Sequence, residues 1–283
     1  MHFSDRLAQV ITDKDSCLML GLDPNWEKLP ESFKKGDSLA GKADSYEAFC
    51  IDRINQCAPY ICGIKIQMGY FEALGSVGVK AVESLIAYTK KNHPELIIMM
   101  DAKRGDIGST SEAYAEAFLG DNSPLAGDCV TVAPYMGFDS VSPFYQKASN
   151  HEKAVFILAK TSNPSSKEIQ NLKTGWKFMT VAERWADRFQ FLSSVYKKDK
   201  RYGNYGIVVG ATHPKELIKF RKIAPSCWIL APGVGAQGGK LEDVLKIRDA
   251  DGLGIIIPIS RAVLYADDPG ANMKDFWETQ KMK

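Results

Sequence analysis

Histidine is scarce in this chain: four residues in 283, at His2, His93, His151 and His213. None stands in a His-x-x-x-His or His-Glu-x-x-His spacing, so no histidine-based zinc site is expected. The six cysteines (Cys17, Cys50, Cys57, Cys62, Cys129 and Cys227) form no Cys-x-x-Cys pair. Several sit inside apolar runs, as reduced core thiols of a cytoplasmic protein do. No apolar run approaches the roughly 20 residues that cross a bilayer. Met1-His-Phe-Ser-Asp-Arg6 is too polar to begin a signal peptide. Membrane association is therefore not expected. Charge of one sign is also missing. The formal net charge is +2, which gives no basic field to attract nucleic acid. No linker or composition shift marks a second domain, and no internal repeat is visible.

What the chain does have is hydrophobic residues, 45% of the total, in short and evenly spaced runs. Eight of these read as strands: 17–22, 62–68, 96–100, 129–133, 153–160, 207–210, 228–231 and 254–258. Helical spacing separates them. Tyr46, Phe49, Cys50, Ile54 and Cys57 mark a helix that Pro59 closes. Another spans 71–91, broken by Gly75 and Gly78. A capping box at Ser109–Glu112 would start a helix over 112–119. Further helices fall at 139–148, 177–196, 214–223 and 241–247, with short ones at the two ends of the chain. Residues 26–43 read as an irregular connection, and 161–175 as a long polar loop of the kind that often serves as a lid. Strands without alternation are buried on both faces, which is the mark of a parallel sheet. Eight strand–helix alternations predict an α/β fold, a single (β/α)₈ TIM barrel over residues 1–283. A doubly wound open sheet is the alternative.

In such a barrel, sites form at the C-terminal ends of the strands. The unusual polar residues gather there. Asp23 follows the first strand and Lys65 lies in the second. Asp101, Lys103 and Asp106 end the third, with Gly105 expected to turn the chain. Ser162 and Asn163 follow the fifth strand, Gln237 the seventh and Arg261 the eighth. Asp-x-Lys alone is more often a salt bridge before a helix cap. A buried lysine such as Lys65 either snorkels or faces a partner. The convergence of these residues on one end of the barrel favours a site.

The loop Pro232–Gly239 is rich in glycine and precedes a helix, so its backbone N–H groups could approach an anion. Arg261 opens the next helix and suits phosphate by forked hydrogen bonds. A phosphorylated small molecule is the expected substrate. The Lys65, Asp101, Lys103, Asp106 set alternates in sign, which keeps the ammoniums protonated and the carboxylates ionised. A protonated lysine is a general acid and a poor nucleophile. That disfavours a Schiff base and favours proton delivery to a carbanion.

Asp101-Ala-Lys-Arg-Gly-Asp-Ile-Gly-Ser-Thr110 resembles the signature of the orotidine 5′-phosphate decarboxylase family, in its longer bacterial subgroup. Gly21-Leu-Asp-Pro24, Gly63-Ile-Lys-Ile-Gln67, Ala231-Pro-Gly-Val-Gly-Ala-Gln-Gly238 and Pro258-Ile-Ser-Arg261 match further family blocks in order. The resemblance implies a cofactor-free and metal-free conversion of orotidine 5′-phosphate to UMP and CO₂, in pyrimidine biosynthesis. It implies that Lys65, Asp101, Lys103 and Asp106 form a charged tetrad in which Lys103 donates the proton. It places Asp106, Ile107 and Thr110 in the neighbouring subunit's site, which makes a homodimer. Asp23 and Lys65 would contact the ribose, and Ser162 the pyrimidine. Gln237 and Arg261 would hold the phosphate, with Pro232 also against the substrate. Asn163 departs from the histidine that other subgroups often carry. Two rival readings are a Mg²⁺-dependent barrel decarboxylase or aldolase with a similar Asp-x-Lys strand end, and a non-catalytic phosphate-binding barrel.

Overall fold

The computed structural model describes residues 1–175, 178–196 and 201–281. Eight parallel strands close on themselves in sequence order, β1 pairing with both β2 and β8. They are β1 Leu18–Leu22, β2 Gly63–Gln67, β3 Ile97–Arg104, β4 Cys129–Val132, β5 Ala154–Lys160, β6 Tyr205–Val209, β7 Trp228–Leu230 and β8 Ile255–Ile259. The open-sheet alternative is excluded, because every strand has two neighbours. Nearly every strand residue is buried. Closure explains this pattern: side chains that point inward fill the barrel, and those that point outward meet helices. Gly206 shows how tightly the interior fills, since a Cβ there would overlap the Phe156 ring.

Helix α1 Phe3–Lys14 precedes the barrel, and the outer layer contains α2 Leu39–Cys57, α3 Ser76–Asn92, α4 Gly108–Leu119, α5 Phe138–Asn150, α6 Val181–Tyr196, α7 Pro214–Ile223 and α8 Pro269–Lys281, with shorter turns between. Phe3 and Leu7 of α1 are buried, and the Ser4 hydroxyl donates to the Gly203 carbonyl at 2.6 Å. The N-terminal helix thus plugs the end of the barrel opposite the predicted site. All six cysteines are free and buried. No described helix is long and apolar enough to cross a membrane.

Several boundaries differ from expectation. The helix marked by Tyr46 to Cys57 begins earlier, at Leu39, where the Ser38 hydroxyl accepts the Gly41 N–H at 3.0 Å. Gly75, at φ +68°, separates Met68–Glu72 from α3, whereas Gly78 lies within α3. Gly78 approaches the Phe71 carbonyl so closely that no Cβ would fit. The capping box does not form. Helix α4 begins at Gly108, so Ser109 lies inside it and caps nothing. The stretch 161–175 contains a turn at Pro164–Ser166 and a short helix, Lys167–Gln170. The expected start of the following helix, Lys177, lies outside the described residues; that helix is α6.

Candidate active site

Strand β3 outruns its apolar stretch. The run ends at Met100, but the strand continues to Arg104 because it re-pairs with β4 after a gap. Met100 pairs with Val130 and Arg104 with Val132. Three residues of β3, Asp101 to Lys103, therefore stand opposite Thr131 alone, a bulge at the end of a strand. Within it Lys103 adopts φ +48°. That region is uncommon for a residue with a side chain and costs about 1 kcal/mol or more.

Asp101 sits at the centre of the site, 7% exposed. It accepts four hydrogen bonds, two on each oxygen. Lys103 Nζ (2.6 Å) and the Thr131 hydroxyl (2.9 Å) donate to Oδ1. Lys65 Nζ (2.8 Å) and Gln67 Nε2 (3.0 Å) donate to Oδ2. Four bonds saturate the lone-pair sites of a carboxylate. Lys65 and Gln67 can both reach because they are two apart on β2 and Gln67 pairs with Asp101. Burial works to raise the Asp101 pKa, but the two ammoniums outweigh it and hold the carboxyl well below its usual range. Burial likewise works against the Lys65 charge, and the Asp101 and Asp23 carboxylates overcome it. Lys65 therefore stays protonated, as expected, and pairs rather than snorkels.

Asp23 lies just beyond β1, with Oδ1 3.6 Å from Lys65 Nζ. That oxygen is buried with no hydrogen-bond partner, so it is available to a hydroxyl. Tyr265 fixes its backbone: the phenol donates to the Asp23 carbonyl at 3.0 Å and accepts the Asn25 N–H at 2.7 Å.

The other side of the pocket is looser. The Ser162 hydroxyl donates to Gln237 Oε1 at 2.8 Å, and Arg261 Nη2 donates to the Ala236 carbonyl at 3.3 Å. Gln237 and Arg261 are exposed. Gly233, Gly235 and Gly238 take φ of +107°, +74° and +86°, which explains the glycines of this loop. The N–H groups of Gly235, Gly238 and Gly239 bond to carbonyls of the same loop, so they are not free for an anion as expected. The N–H groups of Gly233, Val234, Ala236 and Gln237 are not among those bonds, and they remain for that task beside the side chains of Gln237 and Arg261.

One cavity collects Asp23, Lys65, Asp101, Lys103, Ser162, Pro232, Gln237 and Arg261. Asp106, Ile107 and Thr110 are not in it. The Asp106 carboxylate accepts the Ile107 N–H at 2.8 Å and, among the described residues, joins no ion pair. One chain therefore brings together three members of the expected tetrad. Gly105 does not take a positive φ. Its requirement is a close approach, since a Cβ would meet the Ala133 carbonyl at 2.8 Å. Asn163 is exposed and accepts the Thr161 hydroxyl. Sequence reasoning missed Gln67 and Thr131. The signal for Gln67 was its place two residues after Lys65. For Thr131 it was a hydroxyl in the middle of an apolar strand.

Residues 16–276 match the family described as Orotidine 5′-phosphate decarboxylase / HUMPS. The chain belongs to the orotidine 5′-phosphate decarboxylase / HUMPS family. An orotidine 5′-phosphate decarboxylase of Cupriavidus taiwanensis is 39% identical over 280 residues, covering 98% of this chain and 92% of the relative. One from Rhodopirellula baltica is 37% identical over 276 residues, covering 94% and 89%. A solved structure of Leishmania donovani OMP decarboxylase is 32% identical with a TM-score of 0.80, covering 100% of this chain and 98% of that one. The matched span, residues 16–276, contains all eight strands and the residues that line the cavity.

Proposed function

We propose that this chain decarboxylates orotidine 5′-phosphate to UMP and CO₂ in pyrimidine biosynthesis, without cofactor or metal. The observation that carries this reading is Asp101, a saturated buried carboxylate held beside a half-exposed ammonium, Lys103, at one end of a pocket whose other end offers Gln237 and Arg261. Pure phosphate binding needs no such buried carboxylate.

With phosphate on Gln237 and Arg261 and the ribose on Asp23 and Lys65, the substrate carboxylate lies beside Asp101. Two unit charges about 4 Å apart repel by roughly 4 kcal/mol at an effective dielectric near 20. The C6–carboxylate bond breaks, CO₂ leaves, and the electron pair stays on C6. The Lys103 ammonium stabilises that carbanion and gives it a proton. The neutral amine then takes a proton from water. Ser162 orients the pyrimidine, and Pro232 lines its pocket. Contacts to the remote phosphate draw the 161–175 loop over the site, so binding energy away from C6 lowers the barrier.

The working unit in this reading is a cytoplasmic homodimer with shared sites. Asp106, Ile107 and Thr110 point out of their own pocket. Ile107 is 56% exposed, and Tyr135 and Met136 on the loop after β4 are 80% and 44% exposed. These apolar residues border the segment that would cross to the partner.

The test is the absorbance change of orotidine 5′-phosphate on mixing, with EDTA present and no added metal. Turnover under those conditions is expected. Turnover that EDTA leaves untouched counts against the Mg²⁺-dependent barrel enzyme, whose own reaction EDTA should abolish, and no turnover of orotidine 5′-phosphate with or without Mg²⁺ would reject this reading in favour of one of its rivals.

A further inference from the structure

The bulge in β3 leaves Thr131 as the only β4 residue opposite Asp101, Ala102 and Lys103. Over those three residues the regular register of β3 with β4 is broken, and the Thr131 side chain bonds to two of them. Its oxygen accepts the Lys103 N–H at 3.0 Å, and its hydrogen goes to Asp101 Oδ1 at 2.9 Å. It is 1% exposed. One hydroxyl thus fixes two things: the orientation of the Asp101 carboxylate and the left-handed backbone of Lys103, φ +48°.

The left-handed conformation directs the Lys103 side chain. Asp101 and Lys103 are two apart and would share a face in a regular strand as well; the bulge and the left-handed φ set how the Lys103 side chain approaches the carboxylate on that face. Here Nζ lies 2.6 Å from that oxygen. The geometry assigns Thr131 as a positioning residue for the reaction, setting where the Lys103 ammonium and the Asp101 carboxylate stand relative to each other. The inference rests on the decarboxylase reading for its kinetic consequence, but its structural content stands on the bulge.

Three variants test it. Thr131→Val keeps the shape and removes both hydrogen bonds. Thr131→Ser keeps the hydroxyl and loses the methyl. Thr131→Ala serves if the valine protein does not fold. Misplacing a reacting group by about an ångström typically costs on the order of 100-fold in rate. Thr131→Val is expected to lose kcat on that scale, while KM for orotidine 5′-phosphate and the affinity for UMP move less than about threefold. Thr131→Ser is expected to recover most of the loss. A crystal structure of Thr131→Val should show Lys103 out of the left-handed region and its ammonium displaced from Asp101. The proposal is overturned if Thr131→Val keeps wild-type kcat, if serine is as damaged as valine, or if Lys103 keeps its backbone in the Thr131→Val structure. A loss confined to thermal stability and UMP affinity would also overturn it in favour of plain packing. Absence of turnover in the wild type would reject the decarboxylase reading. The Lys103 backbone in the variant structure would still decide the role of Thr131.

Discussion

The two sides of the pocket are built differently. On the β1–β4 side the charges hold one another: Lys65 and Asp101 are buried, and Asp101 is saturated by four donors from three strands. On the β5–β8 side the polar groups are exposed or half-buried, and they hold one another by single bonds, Ser162 to Gln237 and Arg261 to the Ala236 carbonyl. On the first side the Asp101 carboxylate is fully paired before anything binds. The second has donors to spare and weak internal partners to give up. Chemistry that depends on placing a proton within an ångström belongs on the first side. Capture of a phosphate, which can release binding energy by closing a loop, belongs on the second.

That contrast predicts different losses on the two sides. The largest is expected for Lys103→Ala: at least roughly 10⁴-fold in kcat, because both proton donor and carbanion stabilisation go. Its thermal stability should stay near wild type, since the lysine head is half-exposed; steady-state turnover and a melting curve check both. Asp101→Ala should also stop turnover, and in addition destabilise by about 3–5 kcal/mol, because it leaves the buried Lys65 without its main partner. Urea unfolding reads that figure. Arg261→Ala should raise KM by roughly 10- to 100-fold, the worth of a charged hydrogen bond, and leave the unfolding midpoint unchanged.

The pH dependence of stability separates the same two sides more gently. The Asp101 carboxyl is depressed from its ordinary 3.8. Its contribution is therefore complete above pH 3.8 and lost as pH falls below it. Lys65 is raised from 10.5, so its contribution is complete below that pH and lost above it. The buried thiols begin to count earlier. Burial pushes Cys17, Cys57 and Cys227 from 9.0 up to about 12, so stability should decline as pH rises beyond 9. Unfolding midpoints at acid, neutral and alkaline pH check this. Arg261→Ala should follow the wild-type profile, and an acid limb altered in that variant would count against the contrast.

Much of this was legible in the sequence. Eight unalternating apolar runs announced the closed barrel, and Asp23, Lys65, Asp101, Lys103, Ser162, Pro232, Gln237 and Arg261 do share one cavity. What escaped reading depends on contacts between distant segments. Strand β3 reaches Arg104 only because Val132 receives it. The glycine-rich loop looked like an anion cradle, yet several of its N–H groups close its own turns. Lys160, the last residue of a strand read as purely structural, is buried and donates to Asn171 at 2.7 Å and Ser166 at 3.2 Å, tying down the base of the 161–175 loop. The position of Asp106 has no explanation within one chain, because its proposed partner is the second copy.

The most direct test of the contrast is a crystal structure with UMP bound. The account predicts that Lys65, Asp101, Lys103 and Thr131 keep their mutual positions within about 0.5 Å, while Ser162, Gln237 and Arg261 leave their present partners for the ligand. A structure in which the charged group rearranges to receive UMP, or in which Gln237 and Arg261 keep their present bonds, would contradict it.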